Sequence, residues 1–288
     1  MTLSLVIPVY NEEFNIKRCL TAIADQTVMP DEVIVVDNNC QDKTIEIAKS
    51  FGFVKVVKEP KQGRTYARNQ GFSASSGNII GRIDADSVLD QNWVKNVIAH
   101  FEKDNQLYGL TGIGHSALVP FFSRPKTTLW TRVYYSMVRA SFRTPTMWGA
   151  TMAVRRQAWQ IVEKELNSND QTVHEDQDFS LCMAYHGLKI REFNDVKIII
   201  NGQTYRFLPK FWRYAKMQRS TLRLHKKQGT FRSRRFPRLS LGQILPGLFI
   251  AIPATVYLMV FGVLLPYPVD LFMIKVKGSS GWLGNSSN

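Results

Sequence analysis

The chain is 288 residues long and 44% hydrophobic, enough for one large globular domain or two small ones. Its net charge of +14 is concentrated: residues 1–204 carry 23 Lys+Arg against 22 Asp+Glu, while residues 205–238 carry 12 basic residues and no acidic one. That excludes a uniformly basic protein and points instead to one segment that meets phosphates, whether of nucleotide, nucleic acid or anionic lipid.

Residues 3–7 are predicted as a first strand; the opening has no basic lead-in and does not read as a signal peptide. Residues 12–25 are predicted as a helix with Phe14, Ile16, Leu20 and Ile23 on its apolar side. Residues 32–36 are a Val/Ile strand buried on both faces, 43–51 a helix capped by Asp42, and 53–58 a third strand. A helix over 65–75, a strand over 78–83 and a helix over 91–103 continue the alternation. This βαβ order predicts an α/β fold with a doubly wound, mixed but mainly parallel sheet. Ligands bind such sheets beyond the carboxyl ends of the strands. Pro8, Tyr10 and Glu12, then Asp37 and Asn38, then Asp84, Ala85 and Asp86 therefore gather on one rim.

Residues 108–153 are mixed, with a helix over 130–140. A helix over 176–186, strands over 189–193 and 197–200, and a basic, aromatic helix over 209–227 follow. Phe211, Trp212, Ala215 and Leu222 give that last helix an apolar side suited to an anionic membrane surface. Residues 241–265 contain no charge, enough to span a bilayer, which needs roughly 20 apolar residues. Pro246 and Pro253 interrupt them, so spanning, re-entering and lying on the membrane all remain open, with a buried soluble helix as the competing reading. Basic residues before the segment outnumber those after it, which places residues 1–238 on the cytoplasmic side of the cell membrane. The expected layout is a domain over 1–227, halved near residue 110, a basic linker over 228–240, the apolar segment, and a tail over 266–288. Cys19, Cys40 and Cys182 are scattered without metal spacing and read as reduced thiols.

Asp84-Ala85-Asp86 after a strand places two carboxylates one residue apart, a pattern that suits magnesium or manganese. Asp37 offers an acceptor-only carboxylate that can take an N–H from a ligand. Six motifs stand in order: Val6-Ile7-Pro8-Val9-Tyr10-Asn11-Glu12; Glu32 through Thr44, including Asp37-Asn38-Asn39; Gly63-Arg64-Thr65-Tyr66-Ala67-Arg68-Asn69-Gln70-Gly71; Asp84-Ala85-Asp86; Trp148-Gly149-Ala150; and His174-Glu175-Asp176-Gln177-Asp178. Together they resemble family-two glycosyltransferases with the GT-A fold, over roughly residues 3–227, departing mildly where Cys40 replaces the usual Ser.

The resemblance implies a nucleoside-diphosphate sugar as donor, a glycan or lipid-linked acceptor, and Mg2+ or Mn2+ on Asp86. Asp84 holds ribose or a metal-bound water, and Asp176 acts as the base of an inverting displacement. Pro8, Tyr10, Glu12 and Asn38 are implied in the donor pocket. Arg64 is assigned to the base or phosphates, and Ala85, Gly149, Ala150 and Glu175 to the donor or acceptor contact. Arg219 and Arg223, four apart on one helix face, are assigned to the diphosphate, and His225 to a third metal position. The competing readings are structural: first-turn helix charges for Glu12 and for Glu175, Asp176 and Asp178, an Arg68 paired to Asp84 or a neighbour, and a surface His225. Gln218-Arg219-Ser220-Thr221-Leu222-Arg223 lacks the Gln-x-x-Arg-Trp of processive relatives, which implies transfer of single sugars. A sugar-phosphate nucleotidyltransferase and a non-catalytic membrane-recruited module are the alternatives. A nucleic-acid partner is not expected, since no stacking sheet or helix-turn-helix accompanies the basic segment.

Overall fold

The structure, a computed structural model, describes residues 1–116, 142, 144–167, 172–200 and 207–230, with backbone only for 115, 116, 200 and 207–215. The predicted helix over 130–140, the segment 241–265 and the tail lie outside these residues, as does most of the linker.

The first half follows the expected alternation: β1 (Leu3–Val9), α1 (Ile16–Ala24), β2 (Glu32–Asp37), α2 (Thr44–Lys49), β3 (Val54–Lys58), α3 (Arg64–Ala74) and β4 (Ile79–Ile83). Then come β5 (Ser87–Leu89), α4 (Trp93–Lys103), β6 (Leu107–Ser116), β7 (Thr151–Arg155), α5 (Arg156–Val162), α6 (Glu175–Tyr185), β8 (Lys189–Ile200) and α7 (Phe207–Lys227). They build one eight-stranded sheet in the order β3-β2-β1-β4-β7-β6-β8-β5. Strands β3, β2, β1 and β4 are mutually parallel, as are β6 and β8, while β7 and β5 run against their neighbours. The expected α/β, GT-A-like, mainly parallel sheet is what the chain forms.

Successive residues of a strand point to opposite faces, so each central strand serves two cores. Leu3, Leu5, Ile7 and Val9 of β1 meet Ile16, Leu20 and Ile23 of α1 and Trp93, Val97 and Phe101 of α4 on one face. Val6, with Ile34 and Val36 of β2, meets Phe72 of α3, Trp159 of α5 and Phe179 of α6 on the other. There the Phe72 and Trp159 rings pack edge to face at 5.3 Å, and Trp159 stacks on Phe179 at 6.2 Å. Gly71 lets α3 lie close to the sheet: an added Cβ would fall 2.2 Å from a Val6 methyl. Helix α6 is buried on every side, between the sheet and α7.

Three boundaries differ from expectation. Helix α1 begins at Ile16 because the chain turns through Asn11 at φ 53°, leaving Phe14 64% exposed. The two strands expected over 189–200 are one strand, β8, whose irregularity appears as register shifts against β6. Strands β5 and β7 and helix α5 were not expected at all.

Candidate active site

All four parallel strands of the first half end on one edge. The loops leaving β1 and β2 are latched together there. Asn11 Oδ1 accepts from the Gln41 N–H at 2.8 Å, Thr44 Oγ1 from the Glu12 N–H at 2.7 Å, and Asp42 Oδ2 from the Glu13 N–H at 3.1 Å. Asp42 Oδ1 also takes the Thr44 N–H at 3.0 Å, but the cap position of α2 is Lys43, one residue later than expected and without a side-chain bond. Asp37, at the tip of β2, accepts from the Cys40 N–H at 2.9 Å.

The centre of the site is Arg82, which the sequence reading passed over. It lies 3% exposed in β4, among residues otherwise apolar or glycine. A buried guanidinium needs carboxylate partners, and it has three. Nη1 donates to Asp176 Oδ1 at 2.7 Å; Nη2 donates to Asp84 Oδ1 at 3.0 Å and lies 3.0 Å from Glu175 Oε1. Arg82 thus ties the Asp84-Ala85-Asp86 edge to the first turn of α6. The antiparallel register of β4 with β7, Ile83 opposite Thr151, brings the 148–150 turn over the same point. The Gly149 N–H donates to Asp176 Oδ2 at 2.8 Å. A Cβ at Gly149 would fall 2.1 Å from Arg82 Nη1 and 2.7 Å from Asp176 Oδ1, so a larger residue would have to push this ion pair aside. Ser180 completes the seat: its hydroxyl donates to the Asp176 carbonyl at 2.7 Å and accepts from the Met147 N–H at 2.9 Å.

Charge is unevenly shared in this cluster. Burial would raise the Glu175 carboxyl, but Arg82, Arg64 and Arg68 outweigh it and hold Glu175 at about 2. Burial, helped by the charges of Asp176 and Glu175, pushes Asp84 upward against the pull of Arg82. Its side chain is 43% open to solvent, so part of that push is relieved by water. Arg68 is fully buried. Its Nη1 donates to the Glu175 carbonyl at 3.2 Å, and Nε and Nη2 donate to Asn69 Oδ1. It therefore supports α6 and does not pair with Asp84.

The other expected residues fall into three groups. Tyr10, Asp37, Arg64 and Asp86 are half-buried on the rim, and Glu12 is buried behind them. Pro8, Ala85 and Ala150 are buried, the alanines within the apolar core, so their contribution is to backbone placement. Asn38 is turned inward. Its amide donates to the carbonyls of Glu59 and Lys61 at 2.8 Å each, and its oxygen accepts from the Gly63 N–H at 2.9 Å. It holds the loop that delivers Arg64. The last helix brings two corrections. Met217, Thr221 and His225 face inward, which by the helical period turns the exposed Arg219 and Arg223 to the outer face, away from α6. His225 is not a surface histidine and does not join Asp86. It is buried, with Nε2 2.9 Å from Asp178 Oδ1 and Nδ1 2.9 Å from Thr230 Oγ1.

Glu12 gives the rim a pH signature. Burial, then the charges of Asp86, Asp84 and Asp42, raise it from 4.5 to about 7 against the hydrogen bond from Asn15. The folded chain thus keeps a proton that the unfolded chain has released. The associated stability is whole below pH 4.5 and is lost as pH rises to about 7. Glu12→Gln, measured by thermal unfolding in chelator, is expected to match the wild type near pH 5. At pH 8 it should gain on the order of 3 kcal/mol over it. A difference that stays flat across that range would show that Glu12 ionises freely.

Residues 4–161 match the family description "Glycosyl transferase family 2". The match ends before α6. Glycosyltransferase AglE of Haloferax volcanii is 40% identical over 103 residues, 33% of this chain and 34% of that protein. The probable glycosyltransferase YdaM of Bacillus subtilis is 28% identical over 205 residues, 66% of this chain and 48% of that one. The chain thus spans about a third to a half of these relatives' lengths. Among solved structures, the mannosyltransferase PcManGT from Pyrobaculum calidifontis, in complex with GDP-Man and Mn2+, aligns with a TM-score of 0.63. That alignment covers 93% of this chain and 77% of that one at 17% identity, a likeness of fold. The TarS fragment of S. aureus in complex with UDP-GlcNAc aligns at 0.55 over 70% of this chain and 59% of that one, at 19% identity.

Proposed function

The chain belongs to glycosyl transferase family 2, and on that premise we propose that it moves one sugar from a nucleoside-diphosphate sugar to an acceptor hydroxyl or lipid phosphate, with inversion. The observation that carries this reading is the Arg82 cluster, which joins Asp84 to Asp176 through one side chain. Rim and helix are thereby joined at one point, beside which a shared cleft would lie. The family match speaks against a nucleotidyltransferase, and a cleft of ordered acids speaks against a decayed binding module.

Asp86 and Asp84 would hold a divalent cation. The donor set is oxygen only, and the charges of Asp84, Asp86 and the buried Glu12 lie close enough to act on one another, a surplus such an ion would neutralise. When bound, the cation neutralises charge on the departing diphosphate. Asp37 receives the base, and Arg64 adds positive charge at the phosphates. The acceptor oxygen bonds to the anomeric carbon as that carbon's bond to the diphosphate breaks, its electron pair leaving with the phosphate. Asp176 takes the hydroxyl proton. The neighbouring acids suit that task less: Glu175 is held at about 2, and Asp178 is engaged by His225 and by the Asn167 N–H.

A thermal-shift panel of UDP- and GDP-sugars with Mn2+, Mg2+ or chelator tests the reading. One donor class should stabilise the chain by about 2.7 kcal/mol at a hundredfold excess over its dissociation constant. The effect should need cation and be lost in Asp86→Ala. Equal shifts in chelator, or none across the panel, would overturn it.

We further propose that the enzyme works at the cytoplasmic membrane face. Lys216, Arg219, Arg223, Lys226 and Lys227 are exposed on α7, a basic surface suited to anionic lipid. Among the described residues no helix is long and apolar enough to cross a membrane; the proposed anchor is the uncharged segment 241–265. A chain ending at residue 240 that still floats with anionic vesicles would assign anchoring to α7.

A further inference from the structure

We propose that Asp178, Cys182 and His225 form a zinc site that fastens α7 to α6, separate from the cation at Asp84 and Asp86. Asp178 and Cys182 are four apart in α6 and so share one face. His225 comes from the last turn of α7. One carboxylate oxygen, the sulfur and one ring nitrogen all lie within 4.8 Å of one another. The three residues are 2%, 4% and 2% exposed.

Two further contacts orient these side chains as a metal site requires. Thr230 Oγ1 sits 2.9 Å from His225 Nδ1, fixing the ring and leaving Nε2 to face the acid and the thiol. The Asn167 N–H donates to Asp178 Oδ2 at 2.8 Å, leaving Oδ1 as a single ligand atom. A tetrahedral zinc with bonds of about 2.0–2.3 Å holds its ligand atoms roughly 3.4–3.6 Å apart. The 2.9 Å hydrogen bond between His225 and Asp178 would open by about half an ångström, a small movement for two side chains. Binding needs a bare Nε2, so the remaining ring N–H moves to Nδ1, where Thr230 accepts it. Cys182 would bind as the thiolate, its proton released to solvent as the metal enters, and thiolate with imidazole selects zinc over magnesium or manganese. Three protein ligands leave the fourth position to water.

The three residues sit at the contact between α6 and α7. Among the described residues, the apolar cluster there is Phe142, Leu181 and Ala184 with the partly buried Leu222, much smaller than either core. The cysteines show no metal spacing in sequence because the histidine partner is 47 residues from Asp178.

Metal analysis of the tag-free full chain tests this. About one zinc per chain is expected in the wild type and in Asp86→Ala, and almost none in Cys182→Ala or His225→Gln. Cobalt exchanged into the wild type should show a thiolate-to-metal charge-transfer band that Cys182→Ala lacks. His225→Gln can keep a hydrogen bond to Asp178, so it separates loss of metal from loss of fold. A wild type without zinc and without the cobalt band, or a Cys182→Ala chain that retains its zinc, would reduce the trio to a hydrogen-bonded pair beside a bystander thiol. Because Asp86→Ala keeps the zinc, failure of the proposed transfer reaction would leave this result untouched.

Discussion

Asp176→Asn is expected to lower turnover by roughly 10²–10⁴-fold while donor binding, read by thermal shift, stays near the wild-type value. The expectation rests on lone pairs. An ionised carboxylate has about four acceptor sites. Arg82 Nη1 and the Gly149 N–H occupy one on each oxygen, which leaves one on each for a hydroxyl proton. Those two donors also fix the carboxylate plane, so the base is oriented before an acceptor arrives. An amide at this position keeps one oxygen for Arg82 but turns its NH2 toward Gly149 and cannot take up a proton. A stability cost of about 1–3 kcal/mol follows from that mismatched donor pair. Donor-induced stabilisation measured on the same sample shows whether the site is intact. Turnover near the wild-type rate would remove Asp176 from the role and leave the acceptor to arrive already ionised, as a phosphate does.

The rim was legible in the sequence because its logic is topological. Short Val/Ile runs alternating with helices force parallel strands, and parallel strands end together. Asp37 and Asp84 follow from that rule alone. What escaped had weaker signals. Helix α6 is buried all round, so it has no apolar stripe to mark which of Glu175, Asp176 and Asp178 faces the cleft. Helical period did carry information that went unused. Residues 217, 221 and 225 share a face, so once His225 is known to point inward, Arg219 and Arg223 point outward. Asn38 was assigned to a ligand, but a buried amide beside a loop rich in free carbonyls and N–H groups satisfies the loop first. Arg82 was readable and was missed. An arginine within Ile79-Ile80-Gly81-Arg82-Ile83 cannot be buried alone, and the nearest strong acids in a doubly wound fold are those on the same rim.

That arginine underlies the second large effect. Arg82→Met is expected to cost about 3–5 kcal/mol near neutral pH, because it leaves Asp84, Glu175 and Asp176 facing one another without a counter-ion. The Glu175 contribution to its pH dependence should run opposite to that in the wild type. In the wild type, Glu175 is held at about 2, below its ordinary 4.5. It contributes stability above pH 4.5, and that stability is lost as pH falls through about 2. Burial is already the largest single influence on that carboxyl; without Arg82 only Arg64, Arg68 and His174 oppose it, and the carboxyl should rise. The variant should therefore gain stability on going from pH 7 to pH 5, where the wild type does not gain from this group. Arg82→Lys supplies the charge without the fork. One ammonium cannot place separate nitrogens on Asp176 and on the Asp84–Glu175 pair. It should recover part of the stability and little of the turnover, and it reports on the cluster even where the methionine variant fails to fold at neutral pH. Denaturant unfolding of all three chains at pH 5 and 7 decides the matter. Parallel pH slopes for wild type and Arg82→Met would mean that the three carboxylates do not depend on this guanidinium, and the proposed cleft would lose the contact that joins its walls.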